Sequence, residues 1–247
     1  MSEPVVEVRG LDFAYRGAGR PVLQGIELTV QAGERCLLVG ANGAGKTTLL
    51  RVLAGKHMVA PEVARVLGRS AFHDTGLAEH VELLGGEFPF EVDVRVGSLI
   101  DGVRNTDPAR RAALIELLDI DLDWHMHRIS AGQRRRVQIL LGLIRPVRLL
   151  LLDEVTTDLD LLARADLLDF LRQDSQKNRT AILYATHIFD ALEDWSTHLA
   201  WMSGGRLRRV APLEAIDELA ALRTAGVPAP LYALVAGWLR GERTGSV

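Results

Sequence analysis

One nine-residue stretch constrains this chain more than any other, because it predicts both a local structure and a ligand. Residues 40–48 read GANGAGKTT and fit the pattern G-x-x-x-x-G-K-[ST] at every fixed position. An apolar run typical of a strand, residues 36–39, precedes them, and a helical pattern ended by Gly55 follows. Strand, glycine-rich loop and helix in this order predict a loop that binds phosphate groups.

The residue types in this loop explain how it would hold a nucleotide. Its glycines let successive backbone N–H groups face an anion, and the start of the helix adds partial positive charge. Lys46 would reach the β- and γ-phosphates, and the hydroxyl of Thr47 would hold Mg²⁺. A glycine-rich turn before an ordinary helix is the alternative, and the Lys-Thr pair and the flanking elements argue against it. The nucleotide-binding residues predicted here are Gly40, Asn42, Gly43, Ala44, Gly45, Lys46, Thr47 and Thr48.

Two acids at the end of an apolar run supply the next part of the expected site. Residues 149–152 are four leucines, and Asp153 and Glu154 follow them. A buried strand would deliver both carboxylates to the edge of a parallel sheet where ligands bind. Asp153 could hold the Mg²⁺, and Glu154 could position the water that attacks the γ-phosphate. Capping of the next helix is the alternative, which the phosphate loop makes the weaker interpretation.

Two further features, the segment at 130–133 and Tyr15, each allow two interpretations when taken alone. Ser130, Gly132 and Gln133 begin a helical pattern, with Ser130 as a good N-cap, so they predict either a second anion site or an ordinary capped helix. Tyr15 lies upstream of the phosphate loop, where it could stack on an adenine base or serve as a core aromatic residue.

Composition limits the class of protein. The chain has 247 residues, a hydrophobic share of 48% and a formal net charge of −3. These values suit one large α/β domain and argue against a generally nucleic-acid-binding surface. Cys36 is the one cysteine, so no internal disulfide can form, as expected in a reducing cytosol. The apolar residues 231–239 are too few to span a bilayer. We therefore expect a cytoplasmic protein, peripheral at the inner face of a membrane if its partners lie there.

Hydrophobic patterning predicts the order of elements along the chain. Alternating residues predict half-buried antiparallel strands at 5–8 and 22–30. Further strands are predicted at 63–67, 80–84, 147–152, 180–184 and on both sides of the turn 203–205. Helices are predicted at 96–100, 109–118, 132–144, 159–173 and, in two pieces broken at 227–230, over 213–240. The expected division is an ATPase domain at 1–210, with a helical subdomain at about 90–146, and a helical tail at 211–247.

The motifs together, in this order, resemble the ATPase domain of ATP-binding cassette (ABC) proteins. The resemblance covers the chain to about residue 210 and implies a P-loop NTPase fold of class α/β, with a RecA-like core, an antiparallel β-subdomain and a helical subdomain. It implies that Ser130, Gly132 and Gln133 form the signature motif, which contacts the γ-phosphate bound to a partner subunit. Two subunits would then close head-to-tail around two ATP molecules. By the same resemblance, Leu159-Asp160 forms the loop that crosses between subunits, His187 senses the γ-phosphate, and Tyr15 stacks on adenine.

Three positions depart from the family pattern. Ala131 replaces a glycine of the signature, and Val155 replaces the proline that usually follows the two acids. Where the family places a glutamine that contacts Mg²⁺, this chain offers Gly86 or, with a shift of one residue, Glu87 as a metal ligand. Residues 124–128, 153–156 and 184–190 look like a soluble branch of the family, the free-standing ABC ATPases of the type described in yeast with a transcription-regulating complex.

The expected function is Mg²⁺-dependent ATP hydrolysis, with Lys46, Glu154 and His187 as the catalytic residues. The chain would act as the ATP-binding subunit of a transporter whose membrane partners are encoded separately, or as a free-standing ATPase that regulates or remodels a cytosolic complex. No long coiled coil separates Thr48 from Ser130, which argues against a DNA-repair or chromosome-structuring ATPase. His125 and His127 are expected to be structural, because no acid or cysteine in the sequence completes a zinc set. The arginine run 134–136 is expected to be a solvated helix face or a subunit contact.

Overall fold

The computed structural model describes residues 3–17, 19–86 and 93–244. The strands are β1 (Val6–Phe13), β2 (Leu23–Val30), β3 (Arg35–Val39), β4 (Ala64–Val66), β5 (Arg69–Ser70), β6 (Val81–Gly85), β7 (Leu149–Asp153), β8 (Ala181–Ala185), β9 (His198–Ser203) and β10 (Arg206–Pro212). The helices are α1 (Lys46–Leu53), α2 (Val96–Asp101), α3 (Pro108–Leu117), α4 (Ala131–Leu143), α5 (Leu161–Asn178), α6 (Leu192–Trp195), α7 (Asp217–Thr224) and α8 (Pro230–Thr244). Short 3₁₀ helices lie at Thr75–Glu79 and Leu213–Ala215.

The larger sheet has the strand order β10-β9-β3-β8-β7-β6. Its neighbours are parallel from β9 to β6, and β10 pairs with β9 as an antiparallel hairpin around the predicted turn. Every residue of β3 and β8 is buried, as expected for parallel strands covered on both faces. The carboxyl ends of β3, β7 and β8 therefore meet at one edge, where the loop after β3 and the two acids are located.

The smaller sheet has the order β2-β1-β4-β5 and is antiparallel throughout. Buried and more exposed residues alternate along most of β2, so the sheet has one face on a core and one facing water. This sheet is the antiparallel β-subdomain that the resemblance to ABC proteins implied.

The large sheet separates two apolar cores. On one face, side chains of α1 such as Leu49 and Leu50 pack between the large sheet and the antiparallel sheet. On the other face, α2, α3, α4 and α5 pack together with α7 and α8, and Val235 of α8 is one of the buried residues. Residues beyond 212 thus share a core with the ATPase fold, whereas the division of the chain at residue 210 stays a prediction.

Most predicted elements are present, with shifted ends. Helix α5 runs to Asn178, five residues beyond its predicted end, although Asp174 and Ser175 in its last turns are polar and buried. Arg110 of α3 forms an ion pair with Asp174, and the hydroxyl of Ser175 donates to the carbonyl of Thr180 at 2.9 Å. These partners satisfy the polar groups, which patterning alone could not anticipate. Among the described residues, no helix has both the length and the apolar character needed to cross a membrane.

Candidate functional site

The loop after β3 adopts the conformation that its glycines permit. Gly40, Gly43 and Gly45 have φ angles of 154°, 79° and 111°. A Cβ on Gly40 would lie 2.2 Å from the carbonyl oxygen of Met202, and one on Gly45 would lie 2.8 Å from a methyl of Leu23. Side chains are therefore excluded by contact as well as by conformation. No side chain caps the start of α1, so its first N–H groups stay available to an anion.

Lys46 lies inside this loop. Its Nζ donates to the carbonyl oxygens of Gly40 at 2.7 Å and Ala41 at 3.1 Å. Burial lowers the pKa of Lys46, and the nearby carboxylates of Glu154 and Asp153 oppose that shift. The ammonium group is thus held over the loop opening, where a phosphate would take the place of the two carbonyl partners.

Thr47 and Asp153 come together beside the loop. Thr47 lies close enough to the Asp153 carboxylate, at the end of β7, for its hydroxyl to lower the pKa of that group. Burial raises the pKa of Asp153, and the charge of Glu154 adds to the rise, against the effect of the Thr47 hydroxyl. A hydroxyl and a partly buried carboxylate are oxygen ligands of the kind that Mg²⁺ prefers. The residues present therefore fit this cation.

Glu154 is held in an unusual conformation one residue further on. Its φ is +53°, in the left-handed region, and its N–H donates to the carbonyl of Ala185 at 2.9 Å. Nδ1 of His187 lies 2.9 Å from Oε1 of Glu154, and the His187 N–H donates to Oε2 at 3.3 Å. Both carboxylate oxygens thus face His187, two residues beyond the end of β8, at the edge of the sheet where Lys46 lies.

Tyr15 contacts the first turn of α1 rather than the large core. Its hydroxyl lies 3.1 Å from Oγ1 of Thr48, and its ring stands edge-on to Phe13 with a centroid separation of 5.2 Å. Its exposed fraction of 37% leaves part of the ring open to a ligand. This position favours the base-stacking interpretation over the core interpretation.

Ser130 and Gln133 form a capping box at the start of α4. The Ser130 hydroxyl accepts from the Gln133 N–H at 3.2 Å, and the Gln133 side chain accepts from the Ser130 N–H at 2.9 Å. Ser130 is exposed, and a Cβ on Gly132 would lie 3.5 Å from the carbonyl of Asp158. Within the described ranges, no hydrogen bond joins these residues to the phosphate loop. The structure thus brings Lys46, Thr47, Asp153, Glu154 and His187 together and leaves the α4 terminus on the surface.

The predicted metal ligand Glu87 lies outside the described residues. Gly86, the alternative at that position, is described and offers only its backbone. Its carbonyl accepts a hydrogen bond from Arg135 at 3.0 Å, and the neighbouring Gly85 pairs in register with Asp153. Gly85 and Gly86, which end this described segment, therefore lie next to Asp153 at the predicted magnesium site.

The expectation that no acid joins His125 and His127 is wrong. Asp93 lies across an antiparallel bridge between residues 95 and 125, and its Oδ1 is 2.6 Å from Nδ1 of His125 and 3.0 Å from Nδ1 of His127. Nε of Arg128 donates a hydrogen bond to Nε2 of His127 at 2.9 Å. The hydrogen bond with His125 is the main cause that lowers the pKa of Asp93, and the nearby His127 lowers it further. One carboxylate oxygen and two imidazole nitrogens, donor types that zinc accepts, lie here within 4.8 Å of one another, so the structural role expected of the histidines stays a prediction.

The arginine run is less solvated than predicted. Arg135 forms an ion pair with Asp158, and Arg136 forms ion pairs with Asp119 and Asp160. The side chain of Arg135 is only 15% exposed. Asp158 and Asp160, which follow β7 in the sequence, were visible as possible partners of these arginines. More than twenty residues separate them from the arginines, so the sequence did not show that they pair.

The comparisons with known proteins agree with this geometry. The family model described as ABC transporter matches residues 23–157. ABC transporter I family member 20 of Arabidopsis thaliana is 47% identical over 96% of this chain and 76% of its own length. CCR4-associated factor 16 of Saccharomyces cerevisiae is 38% identical over 84% of this chain and 78% of its own length.

A solved structure of the ATP binding subunit of an ABC transporter superposes on the chain with a TM-score of 0.77, covering 94% of this chain and 99% of the other at 22% identity. At that identity the likeness confirms the predicted fold alone. The match to the family model and the two relatives go further: this chain belongs to the ABC transporter family as an ATP-binding cassette ATPase.

Proposed function

We propose that the chain hydrolyses ATP to ADP and phosphate with Mg²⁺. The observation that carries the proposal is the Glu154–His187 contact of 2.9 Å, at the same sheet edge as Lys46 and Asp153. A nucleotide-binding protein without hydrolysis would need the phosphate loop but not a basic carboxylate held at that edge. The family membership of the chain supports the same activity.

Each residue has a part in the proposed reaction. Amides of the phosphate loop and Lys46 bind the β- and γ-phosphates, and Tyr15 stacks on the base. Thr47 and Asp153 hold Mg²⁺, which would neutralise charge on the phosphates when bound. Glu154 accepts a proton from water while the water oxygen attacks the γ-phosphorus and the bond to the bridging oxygen of ADP breaks. His187 holds Glu154 in position and donates toward the γ-phosphate.

We propose further that the active unit is a head-to-tail homodimer. Ser130, Gly132 and Gln133 present an exposed helix terminus, and the described contacts of their own chain do not bring it to the phosphate loop. A second copy could supply that terminus to the open side of each bound ATP. Two apolar residues at the start of α5, Leu161 and Leu162, have exposed fractions of 69% and 75%. Burying them in such a dimer would favour association.

Two roles for the released energy stay open as candidates. One is an ATP-binding subunit that drives separately encoded membrane proteins, in line with relatives such as an energy-coupling factor transporter ATP-binding protein, 29% identical over 93% of this chain. The other is a free-standing ATPase that regulates or remodels a soluble complex. Two observations favour the second: the name of the yeast relative associates it with CCR4, and Gly86 or Glu87 stands where the family has a metal-binding glutamine.

The central test is Glu154→Gln. We expect this variant to bind Mg²⁺-ATP, lose hydrolysis by a factor of about 10²–10⁴ and accumulate as an ATP-bound dimer. Phosphate release and sedimentation with and without ATP measure the two effects. Glu116→Gln, an exposed residue of α3, is the matched control and should hydrolyse ATP at the wild-type rate. Wild-type hydrolysis by Glu154→Gln would remove Glu154 from the role of base.

Affinity purification from the native host separates the two candidate roles. Integral membrane proteins that co-purify in the presence of detergent would support the transporter role. A partner set made only of soluble proteins would support regulation or remodelling of a soluble complex. Purification of Glu154→Gln with ATP in the buffer holds the proposed dimer closed and favours capture of partners that prefer that state.

A further inference from the structure

The turn that follows β6 touches the predicted magnesium site. Gly85 is the partner of Asp153 in the parallel β6–β7 pair. A Cβ on Gly85 would lie 2.6 Å from Cβ of Asp153 and 2.7 Å from its carbonyl oxygen. Any shift of Asp153 toward a bound cation therefore acts on the backbone at Gly85, because no space separates the two residues.

Two side chains of α4 donate hydrogen bonds to this turn, at the carbonyls of Gly85 and Gly86. Nη1 of Arg135 donates to the Gly86 carbonyl at 3.0 Å, and Nε2 of Gln138 donates to the Gly85 carbonyl at 3.5 Å. Nη1 of Arg135 also donates to Oε1 of Gln138 at 2.6 Å, so the two side chains orient each other. The helix and β6 are packed closely, since a Cβ on Gly142 would lie 2.3 Å from a methyl of Leu84.

The same guanidinium reaches a third segment. Arg135 Nε donates to Oδ2 of Asp158 at 3.3 Å, in the connection between β7 and α5. The Asp158 carbonyl lies 3.5 Å from the position of a Cβ on Gly132, so this connection abuts the α4 terminus. Because Arg135 is only 15% exposed, its contacts are shielded from water and are worth more than those of a surface ion pair.

The neighbouring arginines do not make this connection. Arg134 donates to the carbonyl of Ile129, and Arg136 pairs with Asp119 and Asp160. Across the described ranges, Arg135 is the arginine of this run that contacts the turn after β6.

We propose that Arg135 is a positioning residue that couples the magnesium side of a chain's own nucleotide site to its α4 terminus. When Mg²⁺-ATP binds, movement at Asp153 and Gly85 reaches Ser130 and Gly132 through Arg135. The planar guanidinium suits this role because its fixed fork holds two backbone or side-chain oxygens in one geometry. The inference rests on the proposed function, in which Ser130 and Gly132 complete the site of a second copy.

The first test compares Arg135→Gln, Arg135→Lys and Arg172→Gln, each combined with Glu154→Gln. Arg172 pairs with Asp169 within α5 and serves as the matched control. We expect all three to bind ATP within about twofold of Glu154→Gln, while Arg135→Gln weakens ATP-driven dimerisation about tenfold, a change of about 1.4 kcal/mol. Arg135→Lys should fall between, because an ammonium can pair with Asp158 but cannot hold the fork geometry. Sedimentation at several protein concentrations gives the dimerisation constants.

The second test needs no dimer and follows the coupling directly. Hydrogen exchange is measured by mass spectrometry at protein concentrations below dimerisation, with and without Mg²⁺-ATP. In the Glu154→Gln parent, Mg²⁺-ATP should slow exchange both at the turn after β6 and at the start of α4. With Arg135→Gln the first effect should persist and the second should disappear.

The outcomes separate this inference from the proposed function. If Glu154→Gln does not dimerise with ATP, the proposed dimer fails, and the exchange experiment still decides the role of Arg135. If Glu154→Gln dimerises and Arg135→Gln does so equally well with unchanged exchange at α4, the coupling through Arg135 is refuted. Loss of ATP binding by Arg135→Gln would also refute it, because the residue would then act on the nucleotide site or the fold itself.

Discussion

Nδ1 of His187 lies 2.9 Å from Oε1 of Glu154, and the backbone N–H of the same histidine donates to Oε2. A histidine two residues beyond β8 thus orients both oxygens of the carboxylate that directly follows the neighbouring strand β7. Glu154 adopts a φ of +53°, which costs a non-glycine residue about 1–2 kcal/mol. Strain of this kind persists where the surroundings fix it, and here the contacts with His187 and Ala185 do so.

His187→Ala should lower kcat for ATP hydrolysis by about 10²–10³ and change KM for ATP only a few-fold. The physical reason is that the Glu154 carboxylate would lose the side chain that fixes its direction. Steady-state phosphate release measures both parameters. His73→Ala is the control, because His73 is an exposed residue of the β-subdomain that contacts Ser70. Equal kcat values for the two variants would show that the contact has no part in turnover.

Gly85→Ala should destabilise the fold and weaken Mg²⁺-dependent ATP binding, whereas Gly86→Ala should have a smaller effect. Both glycines have positive φ, 154° and 73°, so both substitutions are strained. Only at Gly85 would the new Cβ collide with Asp153; at Gly86 it would meet no atom within 4 Å. We expect a loss in the free energy of unfolding of about 1 kcal/mol for Gly86→Ala and about 3 kcal/mol or more for Gly85→Ala. Urea titration measures the difference, and equal losses would contradict the steric account.

The sequence predicted the parts of this site that are local. Residues 40–48 carry their own strand, loop and helix, and Asp153 and Glu154 carry the strand that delivers them. Contacts between distant segments were not predictable in the same way. Asp93 is separated from His125 by thirty-two positions and Arg135 from Asp158 by twenty-three, and only the packing of α4 and the bridge at residues 95 and 125 brings them together. Patterning finds which faces are buried, but it does not specify which charged side chains meet there.

The native protein should react very slowly with a thiol reagent at pH 8. Burial, with a smaller contribution from Glu34, raises the pKa of Cys36 to about 12. At pH 8 the thiolate fraction is then about 10⁻⁴, against about a quarter for an ordinary thiol, and the buried sulfur is also out of reach. Reaction with a disulfide reagent, followed by absorbance, should therefore be limited by opening of the fold and should speed up steeply with urea.

The raised pKa also sets the sign of a stability change. The folded state keeps the thiol proton between pH 9 and 12 while the unfolded state loses it, so the free energy of unfolding falls as pH rises through this range. The slope from this one group approaches about 1.4 kcal/mol per pH unit. The Cys36→Ala variant should lack this contribution to the pH dependence of stability. Rapid reaction of the native thiol at pH 8, or equal slopes for wild type and Cys36→Ala, would contradict the burial of this residue.

Trp238→Ala should destabilise the fold by about 2–3 kcal/mol, although it lies in the tail and outside the nucleotide site. Trp238 of α8 stacks on Trp201 of β9 with a centroid separation of 4.7 Å, and Trp201 is 6% exposed. Removing the outer ring would expose the inner one, which also donates to Glu242 at 2.9 Å. Urea titration followed by tryptophan fluorescence measures the loss. The matched control is Tyr232→Ala on the same helix, because Tyr232 is 55% exposed and should cost less than about 0.5 kcal/mol. If the two variants were equally stable, α8 would be an appendage, and the division of the chain at residue 210 would gain support over the shared core seen here.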